Sequence, residues 1–255
     1  MPLRVNQVEG TRGIARFVDA LWQVREFNAG ATNDKSWVPP LRATVTDILS
    51  PKNPFYQHAN RALFVAERGG VTVGRIAAIE NAAHNRHHRD RVGFFGFLET
   101  VNDPEVSHSL LDTAEGWLRS RSLNRARGPI SPSMNHECGL LVEGAETPPA
   151  IMTPWNPIYY KQLVESSGYR GIQDLLGYDI PAGAHLAVPQ RIQRLAERTA
   201  RSTGVTFRNL NIEFLEQEAR KVLDLYCQAW AGNWGFTPPA WDEFWHTAKD
   251  LKSVL

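Results

Sequence analysis

Cysteine is almost absent: there are two in 255 residues, Cys138 and Cys227, far apart and without metal-type spacing. No disulfide framework is expected, and a reducing cytoplasm is the expected setting. No apolar run approaches the roughly 20 residues that a membrane span needs, so no membrane partner is expected. Charge of either sign is not in excess. Lys plus Arg is 28 against 27 for Asp plus Glu, a net charge of +1, and this gives no electrostatic reason to expect nucleic acid. The opening MPLRVNQVEGTRG lacks the apolar core of a secretory signal. What remains is an ordinary composition, 42% hydrophobic and 22% charged, at a length that suits a full core and more than one domain.

The order of elements carries the fold class. Leu3 onward reads as a strand entering a helix at Thr11, whose Ile14, Phe17, Val18, Leu21, Trp22 and Val24 form a broad apolar face. FNAGATNDKSWVPP is a loop, LRATVTDILS a short helix, and PKNPFYQHANRA a turn into the strand ALFVAERGG. Arg68, Gly69 and Gly70 make a hairpin into VTVGRIAAIEN, and after a polar connection RVGFFGFLETV repeats the apolar pattern. Both runs suit interior strands covered on each face. Asp103 before Pro104, with Glu105 in the first turn, signals a helix start. Val106, Leu110, Leu111, Ala114, Trp117 and Leu118 then recur at helical spacing. ARGPI is too short for a helix and reads as a strand returning through a crossover.

Residues 131–150 read as loop, PIYYKQLVESSGY as a helix and GIQDLLGYDI as a closing strand. PAGAHLAVPQ leads to an amphipathic helix, RIQRLAERTARS. VTFRNLN, FLEQEARKVLDLYCQAWAGN and AWDEFWHTAKDLKSVL then repeat the opening strand, helix and helix. The expected organisation is a domain at 1–180, a connector at 181–204 and the opening of a second, incomplete domain at 205–255. The sequence therefore reads as a piece of a longer protein, since a second domain would need on the order of 100 more residues.

The order βααβββαβ, then αβ, resembles the GNAT superfamily of acyl-CoA N-acyltransferases from Leu3 to Ile180. WVPPLR, NPFYQHA, GRIAAI, VGFFGFLE and ECGLLVEG resemble the first half of a group of bacterial two-domain GNAT-like proteins. The resemblance implies an α/β fold with a mixed, mostly antiparallel sheet flanked by helices. It implies acyl transfer from acetyl-CoA or another acyl-CoA to a small-molecule or peptide amine, without a metal. It implies a coenzyme lying along Phe97 to Val101 and Asn102 to Ser107, with Leu98, Val101, Val106 and Ser107 as its binding residues. Glu99 is then the base or water-relaying carboxylate. Many members carry a tyrosine as general acid where Val164 stands here, so Tyr160 or Tyr159, one turn earlier, is the expected substitute.

A further departure is that VNDPEVSH contains no glycine. Pro104 has no amide hydrogen, and Asp103 and Glu105 put negative charge where a pyrophosphate would sit. A first domain that has lost coenzyme binding is consistent with this, the coenzyme passing to the second domain and the first holding the acceptor, as in tandem members such as the Fem-type aminoacyltransferases. A non-catalytic acceptor-binding or scaffolding module is the competing class, and aminoacyl transfer from charged tRNA a weaker one.

Other clusters carry less. Asn135, His136, Glu137 and Cys138 crowd one loop, and a Cys beside a His suggests a thiolate nucleophile. Adjacent residues on an extended chain point apart, so a hydrogen-bonded loop near the cleft is expected, with Asn135 holding the acceptor. His84, His87 and His88 with Asp90 lack zinc spacing and read as a solvated hairpin. Trp37, Phe55, Tyr56, Trp155, Tyr159 and Tyr160 are the candidates to line an acceptor pocket. Trp230, Trp234, Phe236, Trp241, Phe244 and Trp245 read as core packing.

Overall fold

The computed structural model describes residues 1–28, 35–178, 190–204 and 208–251, without the side chains of 250 and 251. Its frame is a five-stranded sheet in the order β1-β2-β3-β4-β5. The strands β1 (Leu3–Val8), β2 (Ala59–Arg68), β3 (Val71–Asn81) and β4 (Val92–Thr100) are antiparallel neighbours, and β5 (Arg125–Arg127) runs parallel to β4. Helix α1 (Gly10–Asn28) covers one face and α4 (Pro104–Ser120) the other. Successive side chains of β2 divide between the two layers: Leu63 and Val65 pack with Phe17 and Val18, Phe64 and Ala66 with Leu110 and Leu111. This is the mixed, mostly antiparallel α/β arrangement expected above. The start of α4 is also as expected, with Asp103 accepting the Glu105 N–H at 2.8 Å and Pro104 in the first turn.

The connection after β3 is not a solvated hairpin. Residues Ala82–His88 form a helix, α3, after the short α2 (Arg42–Ile48) in chain order. Asn81 caps it by accepting the His84 N–H at 3.0 Å, and Arg89, at φ 52°, ends it. The turn places His84 inside, at 2% exposure. The expected closing strand is also absent over residues 171–178, where Ile172 and Leu176 stand 65% and 75% exposed. The edge that would receive it is short. After β5, Pro129 offers no N–H, and β6 (Ile130–Ser131) pairs with β7 (Glu137–Cys138) instead. Residues 179 and 180, and 205–207 of the strand expected in VTFRNLN, lie outside the described residues.

Four further helices complete the described chain: α5 (Tyr160–Ser166), α6 (Gln190–Thr203), α7 (Leu215–Trp230) and α8 (Trp241–Leu251). Helix α6 buries none of its residues. Helices α7 and α8 seat on α2, α3 and the turn before β2 through a histidine-rich seam. His58 Nε2 meets Glu243 Oε2 at 2.8 Å, His246 Nε2 meets Asp47 Oδ2 at 2.8 Å, and His84 Nδ1 meets Thr237 Oγ1 at 3.1 Å. His88 Nε2 donates to the Phe236 carbonyl at 3.0 Å. Phe236 is buried there against Tyr226 and Trp230.

The seam couples stability to pH. Burial pushes His84 down to about 4, with the neighbouring His88 adding to the shift. A histidine whose folded value lies below its unfolded one near 6.5 contributes fully above that pH, and the contribution is lost as pH falls toward about 4. His58 is raised by its hydrogen bond to Glu243, which works against this loss at the same seam. Unfolding followed between neutral pH and pH about 4.5 is expected to show a net loss that His84→Gln flattens; a pH profile unchanged by His84→Gln would rule out the seam as its source.

Candidate active site

The local geometry starts with a bulge. Between β3 and β4 the register slips so that Arg75 faces Glu99 while Ala77 faces Gly96, and Phe97 takes φ 50°. A bulky residue at positive φ costs on the order of 1–3 kcal/mol and must be held by its surroundings. Here the Phe97 ring meets Phe17 edge-on at 6.2 Å, and its N–H donates to Ser131 Oγ at 2.8 Å. Gly96 admits β6, since a Cβ on it would stand 1.9 Å from the Ile130 carbonyl oxygen.

Beyond the bulge lies a buried polar cluster centred on Glu99. Arg25 Nη2 meets Glu99 Oε2 at 2.9 Å, with the two side chains 5% and 12% exposed. The Tyr160 hydroxyl donates to the same oxygen at 2.9 Å and accepts the Thr100 N–H at 2.9 Å. Tyr159 donates to the Thr100 carbonyl at 2.9 Å and accepts from Asn28 Nδ2 at 3.0 Å. Beneath them Arg75 is fully buried and donates to the Phe17 carbonyl at 2.9 Å. Burial lowers its pKa to about 10, against the opposing charge of Glu99. The Trp155 and Trp37 rings lie 5.1 and 5.4 Å from the Arg25 guanidinium carbon, a cation–π contact.

Two loops cover the Arg25 side of this cluster. Ser36 Oγ donates to the Glu146 carbonyl at 2.6 Å and Trp155 Nε1 to the Ala145 carbonyl at 3.1 Å, which ties the segment around Trp37 to that around Trp155. Beside these tryptophans in sequence stand the exposed apolar side chains Val38, Leu41, Ile151, Met152 and Ile158. Glu137 opens β7, and its carboxyl is raised by desolvation first and by the charge of Glu99 second.

The expected site residues separate in the structure. Glu99, Tyr159 and Tyr160 come together with Trp37 and Trp155. The Tyr160 hydroxyl is engaged as donor and as acceptor, and burial followed by the charge of Glu99 pushes its pKa well up. Asn135 belongs to the seam: its Nδ2 donates to the Thr237 carbonyl at 3.0 Å and its Oδ1 accepts from Tyr226 at 3.2 Å. Leu98, Val101, Val106 and Ser107 are buried, at 7%, 5%, 0% and 0%. Burial pushes the Cys138 thiol up, the opposite of an activated nucleophile, and His136 pairs with Ser133 Oγ at 2.8 Å. Among the described residues no group of three His, Cys, Asp or Glu is placed to hold a metal ion.

Sequence reasoning missed Arg25, Asn28 and Arg75, though a signal existed. Ile14, Val18, Leu21, Arg25 and Asn28 continue one helical stripe, so the polar pair closes the buried face of α1. Arg75 is a charge inside an otherwise apolar interior strand, which demands a buried partner.

No family model matches the sequence. The chain is 39% identical over 224 residues, 87% of its length, to a Caulobacter vibrioides protein named bacterial ceramide synthase. It is 32% identical over 223 residues, 88% of its length, to Protein YghO of Escherichia coli. It spans 58% and 56% of the length of these two relatives. Among solved structures it is similar to an aminoglycoside acetyltransferase from an uncultured soil metagenomic sample, at TM-score 0.41 and 9% identity over 70% of this chain and 95% of that one. It is likewise similar to a tandem GNAT protein from the clavulanic acid biosynthesis pathway, at TM-score 0.41 and 12% identity over 66% of this chain and 43% of that one. Likeness of this size transfers no residue role.

Two substitutions test the packing around Glu99. Tyr160→Phe strands the buried Thr100 N–H and is expected to cost roughly 1–3 kcal/mol in denaturant unfolding; a neutral effect would show the hydroxyl to be dispensable. Gly96→Ala drives a methyl into Ile130 and is expected to cost roughly 1–3 kcal/mol or more. Gly116→Ala, on α4 with nothing within 4 Å of the added Cβ, is expected to stabilise by about 0.5–1 kcal/mol.

Proposed function

We propose that this chain is the acceptor-holding part of an N-acyltransferase that joins a fatty acyl group to the amine of a long-chain amino alcohol. The observation that carries this is Glu99, a carboxylate paired with Arg25, whose guanidinium lies under two tryptophans on loops that also bear exposed apolar side chains. An amphiphile suits that arrangement, with its ammonium among the carboxylates and its alkyl chain over Val38, Leu41, Ile151 and Met152. The relative named bacterial ceramide synthase, similar across 87% of this chain, supports the same substrate class, because a ceramide is an amide of a fatty acid and a long-chain amino alcohol.

Glu99 and Glu137 are the groups that accept a proton from the acceptor nitrogen. Overall, the nitrogen bonds to the acyl carbon of a thioester, the carbon–sulfur bond breaks, and the thiol departs with a proton. Arg25 and Tyr160 position Glu99 by holding one of its oxygens. Glu137, with its carboxyl raised, lies closer to the range of an effective general base. A second reading, an acceptor-binding module without chemistry, is favoured by the Tyr160 hydroxyl, whose donor and acceptor capacities are both used within the chain.

Amide formation from a long-chain amino diol and a fatty acyl thioester, followed by mass spectrometry, tests both. Product that falls on the order of 100-fold in Glu99→Gln, while quenching of tryptophan fluorescence by the amine weakens, supports the enzyme. Quenching without product in the full-length parent as well leaves the binding module. Neither quenching nor product overturns the proposal.

A further inference from the structure

The GNAT-like resemblance puts an acyl-CoA donor along the end of β4 and at the start of α4, and at both places polar groups of the backbone are engaged by the chain itself. On β4, the Phe97 N–H is taken by Ser131 Oγ at 2.8 Å and the Thr100 N–H by the Tyr160 hydroxyl at 2.9 Å. The Thr100 carbonyl accepts from Tyr159 at 2.9 Å, and the Val101 N–H donates to the Val73 carbonyl at 3.0 Å. Ile130 lies against Gly96, so the strands do not part at the bulge to admit a pantetheine arm.

The start of α4 is closed in the same way. The end of a helix binds an anion through amide groups that have no partner within the helix. Here Pro104 has no N–H, the Glu105 N–H donates to Asp103 Oδ1 at 2.8 Å, and the Ser107 N–H donates to the Asp103 carbonyl at 3.1 Å. Arg68 Nη1 meets Asp103 Oδ2 at 2.6 Å and its Nη2 meets Glu105 Oε2 at 2.5 Å. A diphosphate arriving there would find two carboxylates, their cation already paired with them, no N–H on Pro104, and the Glu105 and Ser107 amides engaged.

We infer that this domain carries internal substitutes for the donor: Asp103 and Glu105, clamped by Arg68, stand in for the diphosphate, and Ser131, Tyr159 and Tyr160 for the pantetheine arm. It therefore binds no acyl-CoA at this place, and the acyl group reaches the acceptor from outside residues 1–178. The naming of the donor rests on the proposed N-acyl transfer, whereas the closure rests on geometry alone.

Hydrogen exchange and amide chemical shifts of the full chain, recorded with and without millimolar CoA and a long-chain acyl-CoA, test this directly. The amides of Phe97, Thr100, Glu105 and Ser107 are expected to be protected in the ligand-free chain and unchanged by either coenzyme. Saturable shifts or new protection at these amides would overturn the inference; shifts confined to residues beyond 178 would support it. Product and protection separate the two proposals. A chain that forms no amide but keeps these amides unchanged loses the proposed function and retains the closed cradle. A chain that forms amide while acyl-CoA protects residues 97–107 does the reverse.

Discussion

Burial of Arg25 against Glu99 is the constraint around which this molecule is organised. Removing two charges from water costs several kcal/mol per ion, and the pair persists only where its remaining polar atoms are satisfied. Tyr160 supplies a second hydrogen bond to the Glu99 oxygen, Trp37 and Trp155 cover the guanidinium, and Arg75 adds positive charge from the neighbouring strand. The pair thus joins α1, β4 and α5 at one point. A planar guanidinium suits this place because it can pair with a carboxylate while its faces meet aromatic rings, which a lysine ammonium does less well. Breaking such a pair costs roughly 3–5 kcal/mol, a large part of the 5–15 kcal/mol of a typical domain.

The seam to α7 and α8 follows a different logic. It rests mainly on single hydrogen bonds of histidines, each worth on the order of 0.5–1.5 kcal/mol net, with Phe236 as its buried anchor. The sheet core, by contrast, rests on continuous apolar layers contributed by β2, β3, α1 and α4. Local opening therefore favours the seam over the sheet. Asn135 lies on this seam, bonded to the Thr237 carbonyl and the Tyr226 hydroxyl, and the loop that carries it leads into Glu137.

What the sequence made legible follows from how far each signal reaches. The start of α4 was readable because Asp103, Pro104 and Glu105 act within one turn, and the β2–β3 hairpin because Gly69 and Gly70 supply the positive φ it needs. Glu99 and the tyrosines were readable as candidates because order along the chain placed them at a strand end and a helix start. Helix α3 was missed because its cap, Asn81, ends a strand, and because burial of His84 depends on Thr237, distant in sequence. The closing strand was expected because residues 171–180 have strand composition. Whether they pair depends on the length of the β5 edge, which composition does not report. Arg25 was hidden for the same reason: a cation on a helix is ordinarily solvated, and only its contact with Glu99 makes it central.

The charge arrangement separates the two halves of the proposed reaction. Near Glu99 the Glu137 carboxyl is raised by desolvation first and by the charge of Glu99 second, a contribution that a cation placed there relieves. Arg25 and Arg75 are buried beneath, paired with a carboxylate and with a backbone carbonyl, and present no guanidinium edge suited to a phosphate ester. At α4 carboxylates again hold the place, because Asp103 and Glu105 occupy the helix dipole's positive end and Arg68 pairs with both. The two places thus use their carboxylates differently: Glu99 is held inside by Arg25 and Tyr160, whereas Asp103 and Glu105 cap α4 with Arg68. On the proposed reading, the acyl donor therefore approaches the Glu99 cluster from another surface than the start of α4.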